Sequence, residues 1–236
     1  MWSESVLLIR AAVKGMRVMG RLIVGLLLML VVGPAWANTD DFPYGDKIVF
    51  SAFRNGEKIG QHTVTFKHDG NEFIVTTSVD LAVKVIGMTV YRYTLHSKEV
   101  WSGHTFQSLT AETDDDGNKS FVHAQHTGAA VIVDRDAAGT MRESMPGSLL
   151  PASHWNILQT TERALLNAQT GKQEKVHVTP LGRETIKTSS GQIEADHFRY
   201  EGDLPMDQWF DSKGRWVKMA FKVKSDGSIV DYILEN

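Results

Sequence analysis

The chain has 236 residues, with 25 basic and 28 acidic side chains, and it contains no cysteine. The lack of cysteine excludes disulfide bonds, thiolate metal sites, a cysteine nucleophile and the lipidated cysteine of a bacterial lipoprotein. The slight acidic excess argues against nucleic acid or an anionic lipid surface as a partner, since both select for basic patches.

The first 37 residues have the pattern of a secretory signal peptide. Four basic residues between positions 10 and 21 precede an apolar run, Leu22–Val32, which the helix-breaking Gly33-Pro34 ends. Ala35-Trp36-Ala37 then places small residues at −3 and −1 of a cleavage point. The eleven apolar residues are fewer than the roughly 20 that span a bilayer. We therefore expect cleavage after Ala37, with an uncleaved anchor as the alternative and Met16 or Met19 as alternative starts.

The mature chain, residues 38–236, is expected in the periplasm or outside the cell, soluble and without a stable membrane span. Its 199 residues carry 21 basic and 27 acidic side chains and are enough to bury about 70% of the unfolded surface. No internal repeat or linker divides this part of the sequence, so we predict a single β-rich domain.

Strand patterns follow one another from the start of the mature chain. Lys47–Arg54 ends at Asn55-Gly56, a strong hairpin signal, and Gln61–His68 alternates between its two faces. The longest alternation, Phe73–Val85, places seven odd-numbered residues on one face. Further strands are predicted at 91–101, 104–113, 118–127, 129–135, 173–187, 191–201, 206–211, 217–223 and 230–234.

Residue parity predicts the pairing in two hairpins. The apolar residues are odd-numbered on both sides of Gly87. They share one face only if the numbers of paired residues add up to an even total, as they do for Val83 opposite Tyr91. The connection should then contain an odd number of residues, such as Ile86–Met88. In the last hairpin the apolar residues are odd-numbered in 217–223 and even-numbered in 230–234. The numbers of paired residues must therefore add up to an odd total, and a four-residue loop at 225–228, with Val223 opposite Val230, meets this condition.

One helix is predicted, at about 153–166. Ser153 behind Pro151 is a candidate N-cap, and apolar residues follow at helical spacing, interrupted by Glu162. Many short strands with glycine-containing turns and one helix indicate an all-β protein, an antiparallel meander that forms an open or closed barrel.

The chain resembles an uncharacterised family of proteobacterial exported β-rich proteins, a domain of unknown function. The matching segments are Tyr91-Arg92-Tyr93, Leu150–Asn156, Leu166–Gly171, Trp209–Asp211 and Gly214–Lys218. This resemblance implies no activity and no site residues. The long strands look, more loosely, like the open barrels of periplasmic lipoprotein carriers of the LolA and LolB kind, which is an analogy of fold alone.

The acidic and histidine-containing motifs give weak support to a metal site. Residues 112–117 place acids at the first, third and fifth positions of a calcium loop, but His123 stands where a bidentate glutamate belongs, so a solvated hairpin turn is the favoured interpretation. His123 and His126 would point to opposite faces of a strand, and His62 and His68 would lie about 20 Å apart. We predict no metal ion and no cofactor.

Signals for an enzyme are also weak. No GxSxG nucleophile motif is present. His154 at the start of the predicted helix, or Asp203, Asp207 and Asp211 around Trp209, could serve a hydrolase or lyase that acts on an envelope polymer. The acids have a simpler interpretation as the solvated rim of a sheet, so we assign no catalytic residues and lean against an enzyme.

The apolar face of the two longest strands is the stronger functional feature. One short helix could cover it as an ordinary core, or part of it could line a cavity for a hydrophobic ligand such as a lipid or acyl chain. The candidate ligand-binding residues are Val79, Leu81, Val83, Tyr91, Tyr93, Leu95 and Trp155. His62, His68 and Arg92 could supply polar contacts at the mouth of such a cavity.

Three functions therefore stand as hypotheses. The first is a periplasmic carrier of a hydrophobic ligand, the second an envelope-polymer hydrolase or lyase, and the third a structural envelope protein that uses an exposed sheet edge. The sequence leaves the ligand, the partner proteins and the oligomeric state undetermined.

Overall fold

A computed structural model describes residues 42–136 and 138–235. The predicted signal peptide, residues 1–37, lies outside the described residues. Fifteen strands form one sheet. Their bounds are β1 (Lys47–Arg54), β2 (Glu57–Asp69), β3 (Glu72–Val85), β4 (Met88–Ser102), β5 (Thr105–Asp115), β6 (Asn118–His126), β7 (Ala130–Asp134), β8 (Arg142–Pro146), β9 (Leu150–Pro151), β10 (Ala164–Leu166), β11 (Gln173–Thr188), β12 (Gly191–Gly202), β13 (Met206–Asp211), β14 (Trp216–Lys222) and β15 (Ile229–Leu234).

The sheet consists of two meanders joined at its centre. Strands β1 to β8 run outwards in one direction and β15 to β9 in the other, and β1 pairs with β15 between them. Strands β9 and β10 are parallel, and the other neighbours are antiparallel. This confirms the predicted all-β antiparallel meander, in its open form. These strands belong to one compact unit, Trp36–Asn236.

The two edges of the sheet are close to each other at one point. Edge strands β8 and β9 are joined by residues 147–149, and four residue steps reach about 14 Å at most. The sheet must therefore curl back on itself, which gives it an inner face that holds the main hydrophobic core. Within the described ranges, no helix is both long and apolar enough to cross a bilayer.

The alternation predicted for β3 is confirmed. Phe73, Val75, Thr77, Val79 and Leu81 are buried on the inner face, and the even-numbered residues between them are more exposed. The opposite face of β3 is turned to solvent. The odd-numbered residues of β4 complete the inner face across the hairpin, in six cross-strand pairs from Phe73–Trp101 to Val83–Tyr91.

The predicted pairing of Val83 with Tyr91 is confirmed, but the connection between them differs. Val85 pairs with Met88, so the turn holds two residues, Ile86 and Gly87, and a bulge next to Val83 adds the extra residue that parity requires. Both turn residues have positive φ angles, 51° and 78°, which is the type I′ geometry that suits the twist of a hairpin.

In the last hairpin the predicted parity is right and the register is two residues off. Phe221, not Val223, pairs with Val230. The loop is correspondingly longer, and Val223 donates its N–H to the carbonyl of Ser228 at 2.8 Å while accepting from the N–H of Gly227 at 2.9 Å. These bonds inside the loop replace the ladder bonds that the sequence pattern suggested.

The predicted helix is present but much shorter than expected. A 3-10 helix spans Ile157–Thr161, and Asn156, not Ser153, caps it by accepting from the N–H of Leu158 at 3.0 Å. The end of the predicted helix is strand β10, in which the successive residues Leu165 and Leu166 are both 0% exposed. A strand that is covered on both faces lacks the alternation that would identify it in the sequence.

Candidate functional site

Six of the seven predicted ligand-binding residues lie together on the inner face of β3 and β4. They form three neighbouring cross-strand pairs, which are Val79–Leu95, Leu81–Tyr93 and Val83–Tyr91. Val79 and Leu81 are buried, with 5% and 8% of their surface exposed. The other four are only partly buried. The pattern of residue numbers therefore predicts correctly that these six residues share one face of the sheet; that they bind a ligand stays a prediction.

Trp155 does not lie with the other six. Its ring packs against Phe73 and Trp101, with centroid distances of 5.8 and 5.4 Å. Phe73 is six residues from Val79 along β3, about 20 Å away. Trp155 is 7% exposed and belongs to the aromatic core at the other end of the inner face.

The inner face is less buried at one end than along the rest of its length. At the aromatic end Phe73 and Trp101 are 8% and 1% exposed. At the opposite end Val83 and Tyr91 are partly exposed, and Phe221 and Ile59 pack against the core without being fully covered. We call the Val83–Tyr91 end the open end of the sheet. The open end is where a ligand could reach the inner face.

A row of paired residues crosses the sheet just inside the open end. Tyr232 pairs with Ala52, Ala52 with Gly60, Gly60 with Leu81, and Leu81 with Tyr93. Ala52 and Gly60 are small, whereas the residues on both sides of them are bulky. Although Ala52 is small, it is 0% exposed, so neighbouring side chains cover the middle of this row.

Two tyrosine hydroxyls provide polar groups at the open end. Tyr91 donates to the Asp115 carboxylate at 2.7 Å, and Tyr93 donates to the Gln169 side chain at 3.4 Å. Burial, together with the neighbouring Asp115 carboxylate, raises the pKa of both tyrosines above its ordinary value. Both hydroxyls are protonated at neutral pH, and each donates its one proton to the partner named here, so a ligand could only donate to them.

A belt of buried polar side chains lies between the two ends of the inner face. Thr77, Ser97 and Glu99 occupy successive inner-face positions on β3 and β4. Thr77 Oγ1, Glu99 Oε1 and His62 Nε2 are buried without a hydrogen-bond partner. Most buried polar atoms in proteins have a partner. Because these three atoms have none, each is available for a hydrogen bond to a polar group of a ligand.

Glu99 is the ionisable residue on the β3 and β4 part of this belt. It is 1% exposed, and its Oε2 accepts from the indole N–H groups of Trp101 and Trp155 at 2.8 and 3.4 Å. Burial raises the pKa of Glu99 to about 7, although the indole hydrogen bonds act in the opposite direction. Sequence reasoning missed this residue, but its odd number on β4 could have placed it inside.

The buried His62 and the partly buried His154 are neutral at physiological pH. Burial and the nearby His154 lower the pKa of His62 to about 3, and burial lowers the pKa of His154 to about 4. Gln208 donates to Nδ1 of His154 at 2.6 Å, and Gln159 donates to its carbonyl at 2.9 Å. A histidine with such a low pKa is a weak general base at neutral pH.

Replacing His62 with phenylalanine is expected to make the protein more resistant to acid. Since the pKa of His62 is lowered in the folded state, its neutral form is favoured there, and stability is lost as the pH falls from about 6.5 towards 3. At pH 5 the variant should avoid a loss on the order of 2 kcal/mol. Urea unfolding between pH 4 and 7 measures this, with the exposed His96→Phe as control. Equal acid sensitivity of the two variants would contradict it.

The three acids around Trp209 each have a separate structural contact. Asp203 accepts from the N–H of Lys175 at 2.9 Å. Asp207 accepts from His197 and Arg199, at 2.8 and 2.9 Å. Asp211 accepts from the backbone of its own turn. These contacts explain the acids as parts of turns and of the sheet surface.

Other predicted polar contacts lie away from the open end. His68 is exposed at the aromatic end, and Arg92 forms an ion pair with Asp80 at 3.1 Å on the outer face. The acidic segment 112–117 ends in the hairpin turn between β5 and β6, where Asp114 accepts from the N–H of Gly117 at 2.7 Å. The hairpin interpretation of this segment is confirmed. Among the described residues, no group of three acids and histidines is arranged to hold a metal ion.

A cavity of about 360 Å³ lies where the two sheet edges approach each other. It is lined by residues from 146–149, 161–164 and Gln173, half of its lining being polar. None of the predicted ligand-binding residues lines it. The cavity marks the gap between the edges and is separate from the open end.

The comparisons with known proteins agree with this architecture. A family model described as a domain of unknown function, DUF6134, matches residues 50–235. A solved structure, described as a beta-barrel-like protein of domain of unknown function DUF1849 from Brucella abortus, has a TM-score of 0.57 at 10% sequence identity. The match covers 80% of this chain and 94% of that chain. No curated protein matches this chain significantly.

Proposed function

Because the chain belongs to the DUF6134 family, a domain of unknown function, its activity has to be inferred from its own residues, and we propose that it is a periplasmic protein that binds a lipid or acyl chain on the inner face of β3 and β4. The observation that carries this proposal is the partly uncovered apolar surface at the open end. In an ordinary core this surface would be buried, since each apolar side chain removed from water contributes about 1.5–3 kcal/mol.

The proposed site is a single apolar face whose residues differ in burial. Val83, Tyr91, Tyr93 and Leu95 are partly exposed, whereas Val79 and Leu81 are buried. The site lies beside the small residues Ala52 and Gly60. We leave Trp155 out of the site because other aromatic rings enclose it.

The polar belt suggests what kind of ligand fits. An acyl chain at the open end would have its inner end near Thr77 and His62, which have buried polar atoms without partners. A polar group at that end of the ligand would satisfy them, and leaving such atoms unpaired costs about 1–3 kcal/mol each. An amphiphile therefore fits better than a pure hydrocarbon.

The two alternative functions have less support. His154 has a pKa of about 4, and the acids near Trp209 are used in structural contacts, so a hydrolase lacks an evident catalytic group. The edge strand β8 is short, ends at Pro146 and carries Arg142 and Glu143, which pair with Asp134 and Arg135. Charges and proline at an edge discourage the addition of another strand.

Native mass spectrometry of residues 38–236, purified from a periplasm without refolding, tests the proposal directly. A discrete adduct of lipid mass that organic extraction removes is the expected result, and it would identify the ligand. A bare monomer would argue against a tightly held lipid, and a bare dimer would favour the structural alternative. Finding the protein in the cytoplasm would contradict the periplasmic part of the proposal.

Replacing Val83 with aspartate is expected to weaken binding of a fluorescent fatty acid about tenfold or more, because a charge would lie against the acyl chain. Ala82→Asp is the matched control, since Ala82 is the neighbouring residue on the outer face and pairs with Arg92. Titrations of both variants measure the effect. Equal affinities for the two variants would place the ligand elsewhere.

A further inference from the structure

The tip of the β3–β4 hairpin is an exposed apolar cluster. Val85, Ile86, Met88 and Val90 are 50%, 95%, 67% and 53% exposed. The other large exposed apolar residues of the described chain, Met141, Leu158, Leu181 and Ile229, lie singly in four different parts of the fold. Single exposed apolar residues are ordinary, whereas four within six positions indicate an interaction site.

The turn at the tip uses an unfavourable residue to keep its apolar character. Ile86 has a φ of 51°, a conformation in which β-branched residues are rare. Two other hairpins have the same turn with ordinary residues, Asn55-Gly56 and Asp116-Gly117, whose first residues have φ angles of 49° and 51°. An asparagine at position 86 would fit the turn better, so folding alone does not explain the isoleucine.

We propose that this tip inserts into the surface of a lipid bilayer and docks the open end of the sheet there. A bilayer fits the tip better than a protein does. A stable protein interface buries roughly 800 Å² on each partner, which is more than four side chains at a hairpin tip can supply. A bilayer needs no matching surface, and the strength of insertion depends on the apolar area that enters it.

The residues behind the tip agree with this orientation. Tyr91 and Tyr93 follow the tip on β4, and tyrosines are common where a protein crosses the boundary between lipid and water. Val83 and Tyr91 continue the apolar surface from the tip to the proposed ligand site. A ligand could then pass between the bilayer and the inner face without crossing water.

Nearby charges predict which lipids are preferred. Asp114, Asp115 and Asp116 lie on the neighbouring turn, where the N–H of Asp116 bonds to the carbonyl of Arg92 at 2.8 Å. Lys84 is the exposed cation next to the tip. Arg92 and Lys119 are two further exposed cations beside these acids, and Asp80 is a fourth acid. Four acids and three cations leave a small acidic excess, so we expect insertion into zwitterionic phosphatidylcholine to be at least as strong as into phosphatidylglycerol.

A fluorescent label at the tip tests the insertion. Since the chain has no cysteine, Ile86→Cys and the control Leu181→Cys can each be labelled at one position with a polarity-sensitive dye. Residues 38–236, which contain the whole described fold, are mixed with phosphatidylcholine vesicles. The emission at position 86 should increase and shift to the blue, while that at position 181, where the native leucine is 45% exposed, stays unchanged. An unchanged signal at position 86 would overturn the proposal.

The variant Ile86→Asn separates a structural role from a binding role. It should be at least as stable as the unmodified protein to heat, because asparagine suits the turn, and yet float with vesicles about tenfold less. Leu181→Asn should float normally. Flotation equal to the unmodified protein would contradict insertion, and so would a dimer in sedimentation that depends on Ile86 without vesicle binding, because it would assign the tip to a second copy.

The proposal goes beyond ligand binding, and the two can fail separately. Val83→Asp should lose the fatty acid and still insert its tip, whereas Ile86→Asn should lose the vesicles and still bind the fatty acid. Loss of vesicle binding in Val83→Asp but not in Ile86→Asn would show that the docking surface is not the tip.

Discussion

Replacing Glu99 with glutamine is expected to make the protein more stable at pH 8 and to leave its stability at pH 4 nearly unchanged. Glu99 is fully buried among Trp101 and Trp155, and burial raises its pKa to about 7 from the ordinary value of 4.5. Glutamine has nearly the same shape and can accept the same indole hydrogen bonds, but it carries no charge.

The direction of this effect follows from proton binding. Between pH 4.5 and 7 the folded protein holds a proton on Glu99 that the unfolded chain has lost, so stability falls as the pH rises through this range. Above pH 7 the full penalty, on the order of 3 kcal/mol, is present in the unmodified protein and absent in the variant.

Urea unfolding of both proteins between pH 4 and 8 measures the difference. The exposed Glu72→Gln is the control and should follow the unmodified protein at every pH. A Glu99→Gln variant that is less stable than the unmodified protein at pH 8 would mean that the carboxylate is charged and well solvated in the fold.

Replacing Gly60 with alanine is expected to destabilise the protein by about 3 kcal/mol or more, a large fraction of the roughly 5–15 kcal/mol by which an ordinary domain is stable. A Cβ atom at this position would lie 2.0 Å from the backbone carbonyl oxygen of Asp80 on the neighbouring strand. Since that oxygen belongs to the backbone, β2 and β3 would have to separate at this point.

Gly56→Ala is the matched control because Gly56 also has a positive φ, 85°, but nothing lies within 4 Å of its missing Cβ. Only the cost of a left-handed alanine, about 1–2 kcal/mol, is expected there. Thermal unfolding of both variants makes the comparison. Similar losses of stability for the two would show that strand β3 accommodates a side chain at position 60.

Much of the fold can be predicted from the sequence because one face of most strands is buried. The alternation of Phe73–Val85 fixes which residues face inwards, and parity gives the Val83–Tyr91 pair. The side-chain pattern does not predict the lengths of the hairpin connections, because bulges and hydrogen bonds of the backbone determine them. The turn at Ile86 and Gly87 is shortened by a bulge, and Val223 is held inside a loop by hydrogen bonds that the side-chain pattern does not report.

The segment from 142 to 166 was the hardest to predict, for a physical reason. Its strands β8, β9 and β10 are two to five residues long, and two of them have neighbours on both faces, so no alternation appears. Leu158 and Leu165 imitate helical spacing, but one is exposed and the other is buried in a strand. Tertiary contacts between distant strands override the local pattern here.

For the candidate site, the odd residue numbers identify the six residues that share the inner face of β3 and β4. They do not distinguish residues that the protein core covers from residues that a ligand can reach. That distinction depends on how far the sheet curls and on what covers each end. For this reason the sequence pattern does not separate Trp155, at the aromatic end, from the six residues near the open end. The sequence does not predict the exposure of Ile86 either, because a turn signal gives the position of a residue in the chain and not the burial of its side chain.

The pairing of β1 with β15 has a consequence for how the chain folds. Every other antiparallel pair joins strands that are close in the sequence, whereas Phe50 pairs with Leu234. Hairpins close in microseconds, but a loop of this length carries a larger entropic cost that grows with the logarithm of its length. We therefore expect the two meanders to form first, and their joining along β1 and β15 to limit the folding rate, because non-local pairing slows the folding of β-sheet proteins.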